Sequence, residues 1–216
     1  MNIEHNEAVH ISAVLDKLNF KIERGTLSIK DVKAIRHNGL KKYLDEKCIP
    51  LKIGKRYLKE ICIYNKKSKR HFYALGFKNE EGGYELYNEV FRGYVDARAI
   101  TFIRGSDPSS KAINIFKDCM DFMSIATGKE DGRLKSDTIV LNSLSLWKQS
   151  QPYIQHYGYK VAYSWLNNGK DGVHTIKLLD DFFASENNLR HITMNHKYAP
   201  LDSVNAYLVK RLSQGQ

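Results

Sequence analysis

Short amphipathic stretches predict helices near the start of the chain. Ser28 and Asp31 form a capping box, and the apolar residues that follow Ser28 keep helical spacing, so a first helix is predicted here. Two more helices are predicted to begin at Leu40 and Pro50. None of the three is long enough to be stable without tertiary packing.

Strand-like runs follow these helices. The runs 61–64, 71–77 and 84–88 are rich in aromatic and β-branched residues, and 65–70 and 80–83 between them have the composition of turns. The order of runs and turns predicts an antiparallel meander.

From residue 99 onward, strand-like and helical runs alternate with short connections. This order predicts a parallel sheet covered by helices on both faces, whose ligand sites lie at the carboxyl ends of the strands. The predicted strands are 99–103, 112–116, 138–142, 160–166 and 189–194, and the predicted helices are 119–127, 144–157, 173–183 and 203–212.

The pattern therefore predicts an α/β fold in two parts. Residues 1–98 are expected to form a smaller α+β subdomain of short helices and an antiparallel meander. Residues 99–216 are expected to form the domain with the parallel sheet. With 216 residues, 42% of them hydrophobic, the chain can bury a sizeable core, so a disordered tail, a coiled coil and a collagen-like rod are excluded.

The net charge of +10 is concentrated in one part of the chain. Residues 16–70 contain 17 Lys and Arg against six Asp and Glu, a net charge of +11, whereas residues 71–216 contain 17 against 16. A basic block beside a nearly neutral domain indicates a polyanionic partner, and DNA or RNA is the first candidate. The alternative is a lysine-rich face that is only solvated.

The expected compartment is the cytoplasm. No apolar run is long enough to span a bilayer, and the first ten residues lack the features of a secretory signal, so no membrane association is predicted. Cys48, Cys62 and Cys119 are widely spaced, which argues against disulfides and structural zinc. No particular oligomeric state is favoured.

Basic residues on the predicted meander and helices are candidates for phosphate contact. On the same meander, Tyr73 and Phe77 could either stack on bases or pack in the core. The candidate nucleic-acid contacts are Lys55, Arg56, Lys66, Lys67, Lys69 and Arg70, to which Lys117 is added below.

Six ordered segments resemble Toprim proteins, above all the primase-like Toprim proteins of bacterial mobile genetic elements. The resemblance covers roughly residues 28–210 and implies a primase-core-like subdomain before a Toprim domain. The segments are GLKKYLDEKCIP (39–50), HFYALGFKNEEGGYELYN (71–88), INIFKDCMDFMS (113–124), DTIVLNSLS (137–145), VAYSWLNNGKDGVHT (161–175) and SVNAYL (203–208).

The resemblance implies a divalent-metal site, yet this chain departs from the family at the metal-binding positions. Family members use a Glu after the first Toprim strand and two Asp after a later strand; here these positions are Lys117, Asn167 and Gly169. A lysine at the first position opposes metal binding by Coulomb repulsion. Lys117 could instead contact a phosphate directly.

Three nearby acids could rebuild a magnesium site. Asp118 is next to Lys117, Asp121 matches the family's Met-Asp position, and Asp171 is placed in the third predicted loop. The alternative is that Asp118 and Asp121 cap a helix. We favour no cofactor, with Mg²⁺ only if these acids come together.

Three functions follow. The favoured one is a non-catalytic protein that binds nucleic acid, or a replication or mobilisation partner, through its basic amino-terminal face. The second is an active, metal-dependent primase-type nucleotidyltransferase or nuclease with a rearranged acidic site. The third is a protein-interaction scaffold that does not bind nucleic acid.

Overall fold

The computed structural model describes residues 25–155, 157–186 and 189–214. Two five-stranded sheets organise this part of the chain. The amino-terminal sheet contains β1 (Leu27–Lys33), β2 (Leu58–Asn65), β3 (Arg70–Lys78), β4 (Tyr84–Tyr87) and β5 (Arg92–Val95). The carboxyl-terminal sheet contains β6 (Thr101–Ile103), β7 (Ala112–Phe116), β8 (Asp137–Val140), β9 (Val161–Trp165) and β10 (Arg190–Thr193).

Five α-helices are described. They are α1 (Asn38–Glu46), α2 (Leu51–Tyr57), α3 (Cys119–Thr127), α4 (Lys170–Ser185) and α5 (Val204–Ser213). None of the helices in the described residues is long and apolar enough to cross a membrane.

The first predicted helix is wrong, because this stretch forms β1, antiparallel to β2. A bulge between Ile29 and Asp31 inserts one residue, so Val32 pairs with Ile61 on the same face as Ile29. Because of the extra residue, the apolar side chains of Ile29 and Val32 on one face of β1 are three positions apart instead of two. This spacing resembles that of a helix.

The other helices and strands predicted between residues 40 and 88 are confirmed. The helices expected from Leu40 and Pro50 are α1 and α2, and the strand-like runs are β2, β3 and β4 of an antiparallel meander in the order β1-β2-β3-β4-β5. His37 caps α1, because its side chain accepts a hydrogen bond from the Gly39 N–H.

The carboxyl-terminal sheet has the order β10-β9-β7-β8-β6 and is mixed rather than wholly parallel. β7, β8, β9 and β10 are parallel, whereas the edge strand β6 is antiparallel to β8, which corrects the all-parallel prediction. Helices cover both faces, since Phe116 packs in the cluster that contains α3 while Ile113 and Ile115 pack with Leu179 of α4. The predicted α/β class is confirmed.

Two predicted boundaries also change. The helix expected after Ser143 is a 3₁₀ helix, Leu144–Tyr153, which includes Pro152. Helix α4 begins earlier than predicted, so Asp171 lies in its first turn and not in a loop.

One hydrophobic core joins the layers around both sheets. It includes Leu44 and Phe77 from the amino-terminal part, and Phe122 and Val140 from the carboxyl-terminal part. The domain boundary at residues 98 and 99 stays a prediction.

Candidate functional site

The centre of the site lies where β7 ends and α3 begins. The buried run of β7 ends at Phe116, Lys117 follows it half-buried, and Asp118 is the N-cap of α3. Asp118 Oδ1 accepts hydrogen bonds from the Met120 N–H at 3.0 Å and from the Asp121 N–H at 3.1 Å. One oxygen of Asp118 is thus occupied by helix capping.

The other oxygen of Asp118 is paired with an arginine. Arg92 Nη2 donates to Asp118 Oδ2 at 2.9 Å, and the guanidinium lies 5.2 Å from the centre of the Tyr87 ring. Burial lowers the pKa of Arg92, but Asp118 and Tyr87 raise it more, so the pKa lies above its usual value. Arg92 is not among the site residues that the sequence pattern predicts.

Asp121 is a buried carboxyl group with one unused oxygen. Its side chain is only 1% exposed; Oδ1 accepts a hydrogen bond of 2.9 Å from the Asn205 N–H, and Oδ2 has no partner of ordinary geometry. Burial and the Asp118 charge raise the pKa of Asp121 to about 8, although Asn205, Ser203 and Lys117 act in the opposite direction. A neutral carboxyl group is therefore favoured at neutral pH.

Helix α5, which is distant in sequence from Asp118 and Asp121, forms another wall of the cavity. The Ser203 side chain caps α5, accepting a hydrogen bond from the Ala206 N–H. Asn205 Nδ2 donates to the Lys47 carbonyl at 2.8 Å and to Ser124 Oγ at 2.9 Å. The start of α5 is thereby fixed to α3 and to the end of α1.

A cavity of about 470 Å³ opens at this place. It brings acidic, basic and aromatic side chains together, so it has no single sign of charge. Its lining residues are Tyr43, Glu46, Lys47, Tyr87, Arg92, Asp118, Met120, Asp121, Ser203, Asn205, Ala206, Val209 and Lys210.

The third loop of the predicted metal site, residues 167–171, supplies no side chain to the cavity. Asn167 is buried after β9, and Gly169 precedes α4, where its N–H donates to Asp202 Oδ1 at 2.8 Å. Asp171 is exposed and does not line the cavity. The structure thus brings Asp118 and Asp121 together but leaves Asp171 apart.

These residues do not fit a divalent ion. Mg²⁺ needs oxygen ligands in near-octahedral geometry, but three of the four carboxylate oxygens of Asp118 and Asp121 already accept hydrogen bonds. Arg92 and Lys117 add positive charge beside them. Within the described ranges, no group of three or more His, Cys, Asp and Glu side chains could hold a metal ion.

The predicted nucleic-acid contacts form two separate groups. Lys55 and Arg56 are exposed in α2, before β2 begins, whereas the basic hairpin (Lys66, Lys67, Lys69 and Arg70) is exposed after β2 ends. Eight strand residues separate the groups by about 25 Å. Lys117 belongs to neither group and directly precedes the cavity residue Asp118, so the predicted contacts are not one continuous patch.

One further polar cluster resembles a nucleophile–base–acid arrangement. His191 Nδ1 lies 2.5 Å from Asp180 Oδ1, and His191 Nε2 lies 2.7 Å from Ser164 Oγ. Ser164, however, is completely buried within β9, so a substrate cannot reach its hydroxyl group. The cluster therefore connects β9, β10 and α4 by hydrogen bonds and offers no accessible nucleophile.

The architecture defines a primase-like α/β fold. The chain is similar to the solved primase fragment of the bacteriophage T7 primase-helicase protein, with a TM-score of 0.55, 9% sequence identity, and coverage of 87% of this chain and 78% of that chain. Residues 29–96 match a family described as a domain of unknown function, DUF8464. No curated protein matches the chain.

Proposed function

We propose that this chain is a Toprim-type, primase-like protein that binds nucleic acid by charge and carries out no metal-dependent phosphoryl transfer. The observation that carries the proposal is the basic hairpin, whose four charged residues are all exposed at one tip of the amino-terminal sheet. Such a cluster suits the phosphate backbone, which supplies most of the sequence-independent affinity.

The cavity supports the non-catalytic part of the proposal. Phosphoryl transfer needs hard cations held by free carboxylates, and here Asp118 is paired with Arg92 while Asp121 is favoured in its neutral form. Lys117 supplies positive charge at the end of β7, where it would contact a phosphate group.

The primase-like fold also suggests a setting for this activity. We place the protein in the cytoplasm, beside a replication or mobilisation protein of a mobile genetic element. A basic nucleic-acid-binding surface would bring such a partner to the strand on which it works.

The test is a salt titration of a labelled oligonucleotide. The variant carries Lys66→Gln, Lys67→Gln, Lys69→Asn and Arg70→Gln; asparagine is chosen at 69 because Lys69 has a φ of 54°, which asparagine tolerates. The matched control neutralises Lys129, Lys160, Lys170 and Lys177, which are exposed in the carboxyl-terminal part.

The hairpin variant should bind more weakly than the wild type and show a flatter dependence of log affinity on log salt, by about 0.7 to 0.9 per lost phosphate contact. The control should keep the wild-type slope. Equal slopes for wild type and hairpin variant would remove the hairpin from the site. Absence of binding at low salt would favour the protein-interaction scaffold.

A further inference from the structure

A largely exposed group of aromatic and basic side chains lies on the amino-terminal sheet next to the basic hairpin. In the register of β2 and β3, Tyr64 pairs with His71 and Cys62 pairs with Tyr73, so the three rings share one face of the sheet. We call this group the stacking face; it consists of Lys30, Lys33, His37, Tyr64, His71 and Tyr73.

The rings of the stacking face form two pairs, each with a lysine above it. His37 and Tyr73 are stacked, with centroids 5.3 Å apart and planes at 25°, and Tyr64 and His71 lie 4.9 Å apart. Lys33 Nζ is 5.4 Å from the Tyr73 ring centre. Lys30 Nζ is likewise 5.4 Å from the Tyr64 ring centre.

A buried carboxylate holds this arrangement in place. Glu60 Oε2 accepts hydrogen bonds of 2.7 Å from the Arg36 and His37 N–H groups, and Glu60 Oε1 lies 3.6 Å from Lys33 Nζ. Burial raises the pKa of Glu60, but these groups together lower it below its ordinary value. An ionised Glu60 thus positions both His37 and Lys33.

Three of the four rings in the stacking face are exposed to solvent. Tyr73 is 38% exposed, and His37 and His71 are exposed as well. Phe77, on the same face of β3, is by contrast only 2% exposed, as expected for a side chain that packs in the core.

We infer that the stacking face binds the unpaired bases of a single-stranded nucleic acid, while the basic hairpin binds its phosphates. Aromatic rings with cations over them suit the π-faces of bases, and every base offers one. In a duplex those faces are already stacked on neighbouring bases, so the strand must be single. This inference rests on the proposed function and adds to it that the bound nucleic acid is single-stranded.

The experiment compares Tyr73→Ala with Tyr73→Phe, which keeps the ring. Each protein is titrated with a fluorescently labelled oligothymidylate of about twelve nucleotides, a length within the range of single-strand sites. An abasic oligonucleotide of equal length and a duplex serve as further probes. Circular dichroism checks that each variant is folded.

Tyr73→Ala should bind oligothymidylate about 5- to 100-fold more weakly, as expected for the loss of one stacked base, with the wild-type salt slope. Tyr73→Phe should bind like the wild type, and the abasic strand should bind wild type and Tyr73→Ala equally. Equal affinity of Tyr73→Ala and wild type for oligothymidylate would overturn the stacking inference while leaving hairpin-dependent binding intact. A preference for the duplex would overturn it too, and no binding of any probe would remove the proposed function itself.

Discussion

Arg92 and Asp118 form an ion pair that connects the two sheets, with Arg92 Nη2 2.9 Å from Asp118 Oδ2. Arg92 begins β5 of the amino-terminal sheet, and Asp118 caps the helix that follows β7 of the carboxyl-terminal sheet. A guanidinium provides two or more directed donors and does not lose its charge at physiological pH. The first acid of the site is therefore neutralised by the protein itself.

The first prediction is that the wild-type protein shows no saturable Mn²⁺ or Mg²⁺ binding at this cavity. Arg92 and Lys117 repel the cation, and the oxygens of Asp118 are already in use. The double variant Arg92→Gln, Lys117→Glu removes two positive charges and adds a carboxylate, so its Mn²⁺ affinity should rise measurably in calorimetry. Lys170→Glu, an exposed change of the same kind, should leave Mn²⁺ binding unaltered. An ion ligated by Asp118 or Asp121 in the wild type would contradict the prediction.

The second prediction concerns the pH dependence of stability through Asp121. Its pKa is about 8 in the folded protein, against an ordinary value of 3.8. The folded state thus binds the proton more tightly, so this group lowers the free energy of unfolding progressively as pH rises from about 4 to about 8. Asp121→Asn, which keeps an oxygen for the Asn205 N–H, should remove that loss.

Urea denaturation at pH 5 and pH 8 measures the effect. Asp121→Asn should gain stability relative to wild type on going from pH 5 to pH 8, whereas Asp45→Asn, an exposed control, should follow the wild type. A wild-type stability that is as high at pH 8 as at pH 5, with no gain from Asp121→Asn, would show that Asp121 is ionised in the fold.

The sequence predicts the position of Lys117 and Asp118 because the relevant signals are local. The apolar residues Ile113, Ile115 and Phe116 indicate a buried strand, and the apolar spacing after Asp118 indicates a helix, so the junction between them is placed correctly. The ion pair with Arg92 has no such signal. The two residues are 26 positions apart and meet only because the two sheets share one core.

Tyr73 and Phe77 show the same limit at the stacking face. Strand alternation places both side chains on one face of β3, so their spacing alone predicts the same degree of burial for both. The difference arises from distant elements: Phe77 lies in the core with Leu44 and Phe122, whereas Tyr73 lies beyond it and contacts His37. Which end of a strand is covered depends on tertiary packing that the local pattern does not encode.

The third prediction concerns a second link between the sheets. Arg98 forms a bidentate pair with Glu85, at 2.8 and 3.1 Å, and donates to the Asn142 carbonyl at 3.0 Å. Glu85 is 1% exposed, and burial raises its pKa although Arg98 lowers it. Arg98→Met leaves a buried carboxylate unpaired and should cost about 3 kcal/mol of unfolding free energy at pH 7.

Two comparisons identify the cause of that loss. Adding Glu85→Gln to Arg98→Met should recover much of the stability, because the buried charge is gone. The loss caused by Arg98→Met should also be smaller at pH 5, where Glu85 is more readily protonated. A loss that is equal at both pH values and is not relieved by Glu85→Gln would assign the role of Arg98 to packing alone.

The fourth prediction separates the two glycines of the turn before β4. Gly82 has a φ of +81°, and a Cβ there would meet nothing within 4 Å. At Gly83 a Cβ would lie 2.0 Å from the Ala97 carbonyl oxygen, which belongs to rigid backbone. Gly82 is thus required by backbone conformation, and Gly83 by a close approach of two chain segments.

The two positions should respond differently to substitution. Gly82→Ala should cost about 1 to 2 kcal/mol of unfolding free energy, and Gly82→Asn less, because asparagine tolerates the left-handed region. Gly83→Ala and Gly83→Asn should both cost more than Gly82→Ala, since any Cβ displaces the backbone at Ala97 and disturbs the Asn79 side chain that donates to the Ala97 carbonyl. Urea denaturation of the four variants gives the order directly. If Gly83→Ala is as stable as the wild type, the segments around Gly83 and Ala97 are not in close contact in solution.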